Sequence, residues 1–200
     1  MALVSYLGKA RKLVNQHYPE AMVAVQPKSS WAGSFPLPGG LADMYANFGP
    51  VNLSLNYWPA ELSLPSLRKL WALQGGYVYD PSTGEHFKNW DENHTVVGRA
   101  GDACIYVFDS RDEKVYQVRY KRMRWKPTLV FESIGEFCMV VVALSVVCKD
   151  LGEELTDSDG KMTEEAGDKA LLELFELMGR DIDRAEAMLV RLGWITPDQD

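Results

Sequence analysis

Histidine and cysteine are scarce in this sequence, which contains three of each among 200 residues. Metal sites and nucleophilic active sites draw heavily on these two residue types, at fixed spacings. Cys104, Cys138 and Cys148 match no zinc or redox spacing, and no histidine stands in a known nucleophile or metal motif. The sequence therefore predicts a chain that is not an enzyme and has no metal site and no cofactor.

Long apolar runs and a signal-like N-terminus are also lacking. The longest apolar stretch, residues 137–147, has eleven residues, whereas a helix that spans a bilayer needs about 20. Lys9, Arg11 and Lys12 interrupt the N-terminal apolar stretch, unlike a secretory signal. The odd number of cysteines fits a reducing compartment. We expect a soluble, cytoplasmic protein with no membrane partner.

Cations are outnumbered, with 21 lysines and arginines against 28 acids and a formal net charge of -7. This balance opposes general affinity for nucleic acid. One basic segment runs from Arg119 to Lys126 and is interleaved with Tyr120 and Trp125. Such a pattern can hold single-stranded nucleic acid. We favour the other interpretation, in which the cations protect a sheet edge against strand pairing.

The spacing of apolar residues predicts helices and strands in both halves of the chain. Residues 3–14, 41–48 and 67–71 have the period of amphipathic helices. Strands are predicted at residues 51–55, 77–79, 95–97, 105–108 and 116–120. Ser133 and Glu136 form a capping box that opens a helix ending near Lys149. The fold class is therefore α/β, or α+β by a stricter convention: a mixed, mainly antiparallel sheet of about four to six strands packed against helices.

The chain changes character after residue 149. Residues 150–168 contain eight acids and one lysine, which predicts a solvated linker, and two helices follow at residues 171–178 and 182–192. We expect residues 1–149 to form the α/β domain. Residues 150–200 would then form an acidic linker and a C-terminal helical extension packed on or beside that domain. The predicted core includes Leu41, Tyr45, Phe48, Leu70, Val97, Ile105, Val107, Val118, Phe137, Val141 and Leu144.

Several short motifs occur in an order that resembles the order found in a known family. Leu37-Pro38 precedes the predicted helix that closes with Gly49. A Val-Gly pair at residues 97–98 and a Gly-Asp pair at residues 101–102 then flank the central strands, and residues 131–137 open the long helix. In this order and spacing, residues 30–147 resemble the SUKH superfamily. That superfamily includes bacterial toxin-immunity proteins and eukaryotic regulators of cell-wall synthesis.

The resemblance implies a non-enzymatic binding module. For this chain it predicts an immunity protein that binds and neutralises a cognate bacterial toxin by covering its active site. A basic nuclease or another toxin that acts on nucleic acid would suit an acidic inhibitor, because opposite charges speed encounter. Two alternatives stay open: a nucleic-acid-associated protein that uses the segment from Arg119 to Lys126, and a regulatory scaffold protein.

Large aromatic residues in polar, turn-rich sequence mark the expected contact surface. Trp58 and Trp90 are such residues, whereas Trp71 lies on an apolar helical face and is assigned to the core. Acids flank Trp90 or lie in the following hairpin loop. The expected partner-binding residues are Trp58, Asp80, Glu85, Trp90, Asp91, Glu92, Asp109, Asp112 and Glu113.

Overall fold

The computed structural model describes residues 3–101, 104–121 and 124–196, with the backbone alone for residues 120, 121, 124 and 125. Its α-helices are α1 (Leu3–His17), α2 (Gly39–Asn47), α3 (Leu67–Leu73), α4 (Ile134–Leu151), α5 (Glu164–Leu177) and α6 (Ile182–Leu192). Its strands are β1 (Leu53–Leu55), β2 (Leu62–Leu64), β3 (His94–Ala100), β4 (Cys104–Asp109), β5 (Val115–Lys121) and β6 (Arg124–Phe131). Short 3-10 turns cover Lys28–Ser30 and Gly152–Leu155.

The six strands form one sheet in which spatial order equals chain order, from β1 to β6. Every pair of neighbouring strands is antiparallel. The predicted fold class, an antiparallel sheet packed against helices with a C-terminal helical extension, is confirmed. All eleven predicted core residues are buried.

One face of the sheet, which we call the helical face, is covered by α4 and its neighbours. Tyr106 and Phe108 alternate along β4 toward this face, and Tyr106 packs on Phe137 of α4. Helix α4 also contacts α1, α2 and α5. Because it has neighbours on several sides, α4 is apolar nearly all round, unlike a surface helix with a single apolar stripe.

The opposite face, which we call the loop face, holds a smaller cluster. Val96, Ile105, Val107 and Val118 are buried there, and the partly buried Leu73, Tyr77 and Trp90 pack on them. Residues 74–93, between α3 and β3, supply most of this cover. The buried cluster includes residues of β3, β4 and β5, while Pro127 on β6 is exposed.

The C-terminal helices share the main core. Ala170, Leu174 and Leu189 are fully buried within it. Glu136, which is 1% exposed, accepts hydrogen bonds from Arg184 Nη2 of α6 at 2.5 Å and from the Glu132 amide at 2.7 Å. This pairing compensates the buried carboxylate and fixes α6 against the start of α4. The boundary at residue 149 stays a prediction.

Several elements differ from the sequence-based expectations. Residues 77–79 form turns and isolated bridges, because the preceding Gly75-Gly76 pair and the turn at residues 80–84 leave too little extended chain. The expected linker is shorter than residues 150–168, since Glu164 and Glu165 lie in the first turn of α5, where carboxylates are favourable. The sequence did not predict strands β2 and β6, because apolar and polar residues alternate only weakly or irregularly along them.

Candidate interaction surface

Three strand ends meet at one end of the loop face. His94 begins β3 and Asp109 ends β4, and the strand register places them opposite each other. Tyr116 of β5 lies opposite Val107, two residues before Asp109. Because side chains two apart on a strand share a face, all three point to the loop face. His94 Nε2 is 3.2 Å from Asp109 Oδ2, and the His94 and Tyr116 ring centroids are 6.3 Å apart.

Gln74 anchors the loop that covers this end of the sheet. Its side-chain amide donates to the Val96 carbonyl at 2.8 Å and accepts from the Val96 amide at 2.9 Å. Strand β2 pairs with β3 only at Arg99 and Ala100, so Val96 has no strand partner on that side. The fully buried Gln74 therefore supplies the two hydrogen bonds that a neighbouring strand would otherwise make.

Trp90 is held rigidly by this loop. Its indole Nε1 donates to the His94 carbonyl at 3.0 Å. Its ring lies 6.4 Å from the Tyr77 ring and 6.2 Å from the His94 ring, between centroids. With the His94–Tyr116 contact, these rings make a continuous row. We call the row formed by Tyr77, Trp90, His94 and Tyr116 the aromatic ribbon. Trp90 and Tyr116 are half-buried, so each presents part of its ring to solvent.

Arg111 links the Trp90 loop to the β4–β5 loop. Its Nη2 lies 2.6 Å from Asp109 Oδ2 and 2.8 Å from Asp91 Oδ2, and its side chain is 55% exposed. Hydrogen bonds from Arg111, aided by the nearby His94, lower the pKa of Asp109 to about 2. The pKa of Asp91 is also lowered, chiefly by a hydrogen bond from the Asn93 amide. Both carboxylates are thus fixed in their ionised form.

The remaining acids near the ribbon are more accessible. Asp112 accepts the Tyr116 hydroxyl at 2.7 Å, which raises the pKa of Tyr116 to about 12 and orients its ring. Asp112, Glu92 and Glu113 are exposed. The structure therefore brings six of the nine predicted residues together: Trp90, Asp91, Glu92, Asp109, Asp112 and Glu113.

The other three predicted residues lie elsewhere. Asp80 and Glu85 close a turn whose flanking rings, Tyr79 and His86, pack on Trp71. Trp71 itself, assigned to the core from sequence, is half-buried and also contacts Trp31 and Phe35.

Trp58 is separated from the ribbon by the length of β3. It is half-buried in the β1–β2 loop and packs against the main core. Leu62, just after this loop, pairs with Ala100, the last residue of β3, whereas His94 is the first. Trp58 packs against the main core and Trp90 against the loop-face cluster, so the two tryptophans do not belong to one cluster.

Sequence reasoning missed four residues of the surface: Tyr77, His94, Arg111 and Tyr116. His94 lies just before the strand predicted at residues 95–97, but it is the first residue of β3. The signal that could have found it is its alternation with Val96, continued across the hairpin by Val107 and Asp109. Arg111 carried no sequence signal, because its two carboxylate partners are assembled by the fold.

The basic segment lies on the β5–β6 hairpin. Arg119 and Lys126 are exposed and lie opposite each other in the register, and β6 is an edge strand that contains Pro127. Cations and proline on an edge strand deter pairing with another chain. Arg122 lies outside the described residues.

Within the described ranges, no three or more His, Cys, Asp or Glu side chains are grouped so as to hold a metal ion. No described helix is long and apolar enough to cross a membrane. The sequence matches no protein-family model and no curated protein, and the fold matches no solved structure.

Proposed function

We propose that this chain is a non-enzymatic immunity protein that binds and neutralises a cognate bacterial toxin through the aromatic ribbon. The observation that carries the proposal is the row of part-exposed rings on the sheet face that is covered mainly by a loop, with exposed carboxylates beside it. The order of elements that resembles the SUKH superfamily supports the same function. In this proposal the bound chain covers the active site of the toxin in the cytoplasm.

Rigidity makes the ribbon suited to tight binding. Trp90 is fixed by its bond to the His94 carbonyl, and Tyr116 by its bond to Asp112. Aromatic side chains held in their bound geometry lose little conformational freedom on association. Tryptophan and tyrosine are also the residues that most often dominate binding energy at protein interfaces.

The negative charge around the aromatic ribbon favours a basic partner. Asp91 and Asp109 share the single guanidinium of Arg111, while Glu92, Asp112 and Glu113 are exposed. The whole chain carries a formal net charge of -7. An acidic surface accelerates encounter with a basic protein such as a nuclease toxin, and the rings then govern dissociation.

The test begins with a search of the genes that neighbour the gene for this chain for an encoded toxin, which is then purified and expressed together with the chain. Trp90→Ala should weaken its binding by about 2 kcal/mol, roughly thirtyfold in Kd, because one anchor ring is removed. Trp58→Ala is the matched control at the other end of β3 and should leave Kd unchanged. Replacing both Glu92 and Glu113 with lysine should slow association and weaken its dependence on salt.

Different results contradict different parts of the proposal. Full binding and full protection by Trp90→Ala would exclude the ribbon but leave immunity intact. If the toxin does not bind the wild-type chain, the immunity function is wrong. Single-stranded oligonucleotides provide the check on the basic segment. Binding tighter than about 10 μM at physiological salt, lost in Arg119→Glu with Lys126→Glu, would favour the nucleic-acid-associated function instead.

A further inference from the structure

The basic segment from Arg119 to Lys126 has no role in the proposed toxin site. In the register of β5 with β6, Arg119 lies opposite Lys126. Lys121 lies opposite Arg124 in the same register. Residues two apart on a strand share a face, as do residues directly opposite each other on neighbouring strands. The four cationic residues therefore lie on one face of the hairpin, and we call them the basic hairpin.

The same register places the aromatic residues of the segment on the other face. Tyr120 lies opposite Trp125, and each alternates with the cationic residues along its strand. Single-stranded nucleic acid binds best where cations and stacking rings act on one surface. The basic hairpin does not offer that combination. A partner that supplies carboxylates fits it better than one that supplies phosphates and bases.

The charge of the basic hairpin lacks a counterpart among the described acids. Like charges directly opposite each other on neighbouring strands are destabilising. Arg119 and Lys126 are exposed, and neither forms a salt bridge within the described ranges. Protection of the sheet edge accounts for cations on β6, but not for Arg119, which is paired with both β4 and β6. An anionic partner would relieve the repulsion that remains.

A matching acidic surface follows α4. Glu153 and Glu154 lie in the 3-10 turn that begins at Gly152, and Asp157 and Asp159 follow them. All four acids are exposed, and none forms a salt bridge with a cation in the part of the chain that the structure describes. The loop is held in shape, because Asp157 Oδ1 accepts the Asp159 amide at 2.9 Å. We call these four residues the acidic loop.

The basic hairpin and the acidic loop lie at the same end of the sheet. Cys148, in the last turn of α4, receives a main-chain hydrogen bond from Trp58 of the β1–β2 loop. This loop lies at the Ala100 end of β3. Cys104, at the start of β4, lies opposite Ala100 on one side and Arg119 on the other. The end of α4, from which the acidic loop continues, is therefore at the end of the sheet where the basic hairpin begins.

We propose that two copies of this chain form a dimer in which the basic hairpin of each copy binds the acidic loop of the other. A two-fold axis beside this end of the sheet makes the contact twice, as in most dimers. The formal net charge of -7 per copy opposes approach from a distance, whereas each contact joins opposite charges at short range. The aromatic ribbon lies at the His94 end of β3 and stays free in the dimer. The proposal is independent of the toxin-binding function.

Sedimentation equilibrium of the purified chain measures this association. We expect a dimer at about 100 μM chain in about 50 mM salt, and at least tenfold weaker association in about 0.5 M salt, because salt screens exposed charges. The salt comparison needs no substitution, so it tests the proposal even if a variant does not fold.

Two charge-reversal variants test the two surfaces separately. Arg119→Glu with Lys126→Glu changes the basic hairpin, and Glu153→Lys with Glu154→Lys changes the acidic loop. Each should weaken the dimer at least about tenfold, because attraction is lost from both contacts although each exposed ion pair contributes modestly. A mixture of the two variants keeps one native contact, between the unchanged hairpin of one and the unchanged loop of the other. The mixture should therefore associate more tightly than either variant alone.

The matched control reverses two cations elsewhere. Lys12→Glu with Lys69→Glu makes the same change in net charge at exposed positions on α1 and α3. It should change Kd less than about threefold, because both contacts stay intact and salt screens the distant charges.

Four results would overturn the proposal. A wild-type chain that is monomeric at the lower salt concentration excludes the dimer. A dimer that salt does not weaken, or that the control variant weakens as much as the reversal variants do, excludes these charges as its cause. A mixture that associates no better than its components excludes the reciprocal contact.

Discussion

The two faces of the sheet differ in how completely they are covered. On the helical face, side chains from β1 to β6 join α1, α2, α4, α5 and α6 in one continuous core. On the loop face, four buried residues form a separate cluster beneath part-exposed rings. The first face supplies most of the buried apolar area and therefore most of the stability. The loop face contributes less to stability, so a change of its side chains or their rearrangement on binding costs less free energy of unfolding.

Residues that bind a partner can lie on a weakly covered face with little loss in the free energy of unfolding. Regions with few buried contacts open locally at lower free energy than a central core, and binding loops are drawn from them. The loop face combines such a region with a few strong fixed points, Gln74 and Arg111. These keep the rings ordered although the cluster beneath them is small.

Truncation of one buried valine on each face should have the largest effect. Val141→Ala on α4, which is 0% exposed in the main core, should cost about 3 kcal/mol in the free energy of unfolding. Val107→Ala, which is also 0% exposed but lies in the smaller cluster of the loop face, should cost about 1.5 kcal/mol, because the loop above it can settle into the space left by the lost methyl groups. Denaturant unfolding measures both, with the exposed Val4→Ala as a control near zero. Equal costs at residues 107 and 141 would contradict the difference between the two faces.

Loss of the Gln74 side-chain amide should have the second-largest effect on the free energy of unfolding. Gln74→Leu leaves the Val96 amide and carbonyl buried without partners, which should cost about 2–3 kcal/mol. Hydrogen exchange should accelerate at Val96 and at the Trp90 backbone amide, because the loop loses its anchor. Amides of α4 should keep their protection relative to the global stability. A uniform acceleration over both faces would show that the loop does not open separately.

A pH titration isolates the carboxylate held by Arg111. The folded pKa of Asp109, about 2, lies below its ordinary value of 3.8, so its ionised form stabilises the fold. This contribution, about 2 kcal/mol, is fully present above pH 4 and is lost as pH falls toward 2. Asp109→Asn should therefore be less stable than wild type at pH 6, and the gap should narrow toward pH 2. Ser110→Asn, at an exposed position next to Asp109, changes no titratable group and should leave the pH dependence of the wild type unchanged.

The smallest effect concerns an exposed ion pair. Lys114 Nζ lies 2.6 Å from Glu132 Oε2, with side chains 32% and 52% exposed. Lys114→Gln should shift the midpoint of thermal unfolding by less than about 1 °C, because water screens such pairs. A loss of more than about 3 °C at 0.15 M salt would mean that this pair fixes the β4–β5 loop. The asymmetry between the faces would then be smaller than proposed.

The helical face was the more predictable of the two. The capping box at Ser133 and Glu136 fixed the start of α4 to the residue, and the Ser133 hydroxyl accepts the Glu136 amide at 3.1 Å. The apolar period of α1, α2 and α4 is a local signal, so one sequence suffices to read it. Strand β2 was missed because its three residues lie between Pro59 and Pro65 and are too short for a period to appear.

The sequence predicted only those residues of the candidate surface that are close together along the chain. Trp90 and its neighbouring acids could be found because they are close in sequence. The contacts of His94 with Asp109 and of Arg111 with Asp91 depend on strand register and on how the loop closes. The distance between the two tryptophans could not be predicted either: Trp58 and Trp90 both lie in polar, turn-rich sequence, yet they lie at opposite ends of β3.

The consecutive order of the strands has a consequence for synthesis on the ribosome. Each strand from β2 to β6 pairs with the one made just before it, so the sheet can grow hairpin by hairpin as the chain emerges. Helix α1 is made first but packs on α4, with Tyr18 bonded to Ser145 across 127 positions. We expect α1 to stay protease-sensitive in nascent chains that end before α4 and to become protected once residue 151 has left the exit tunnel.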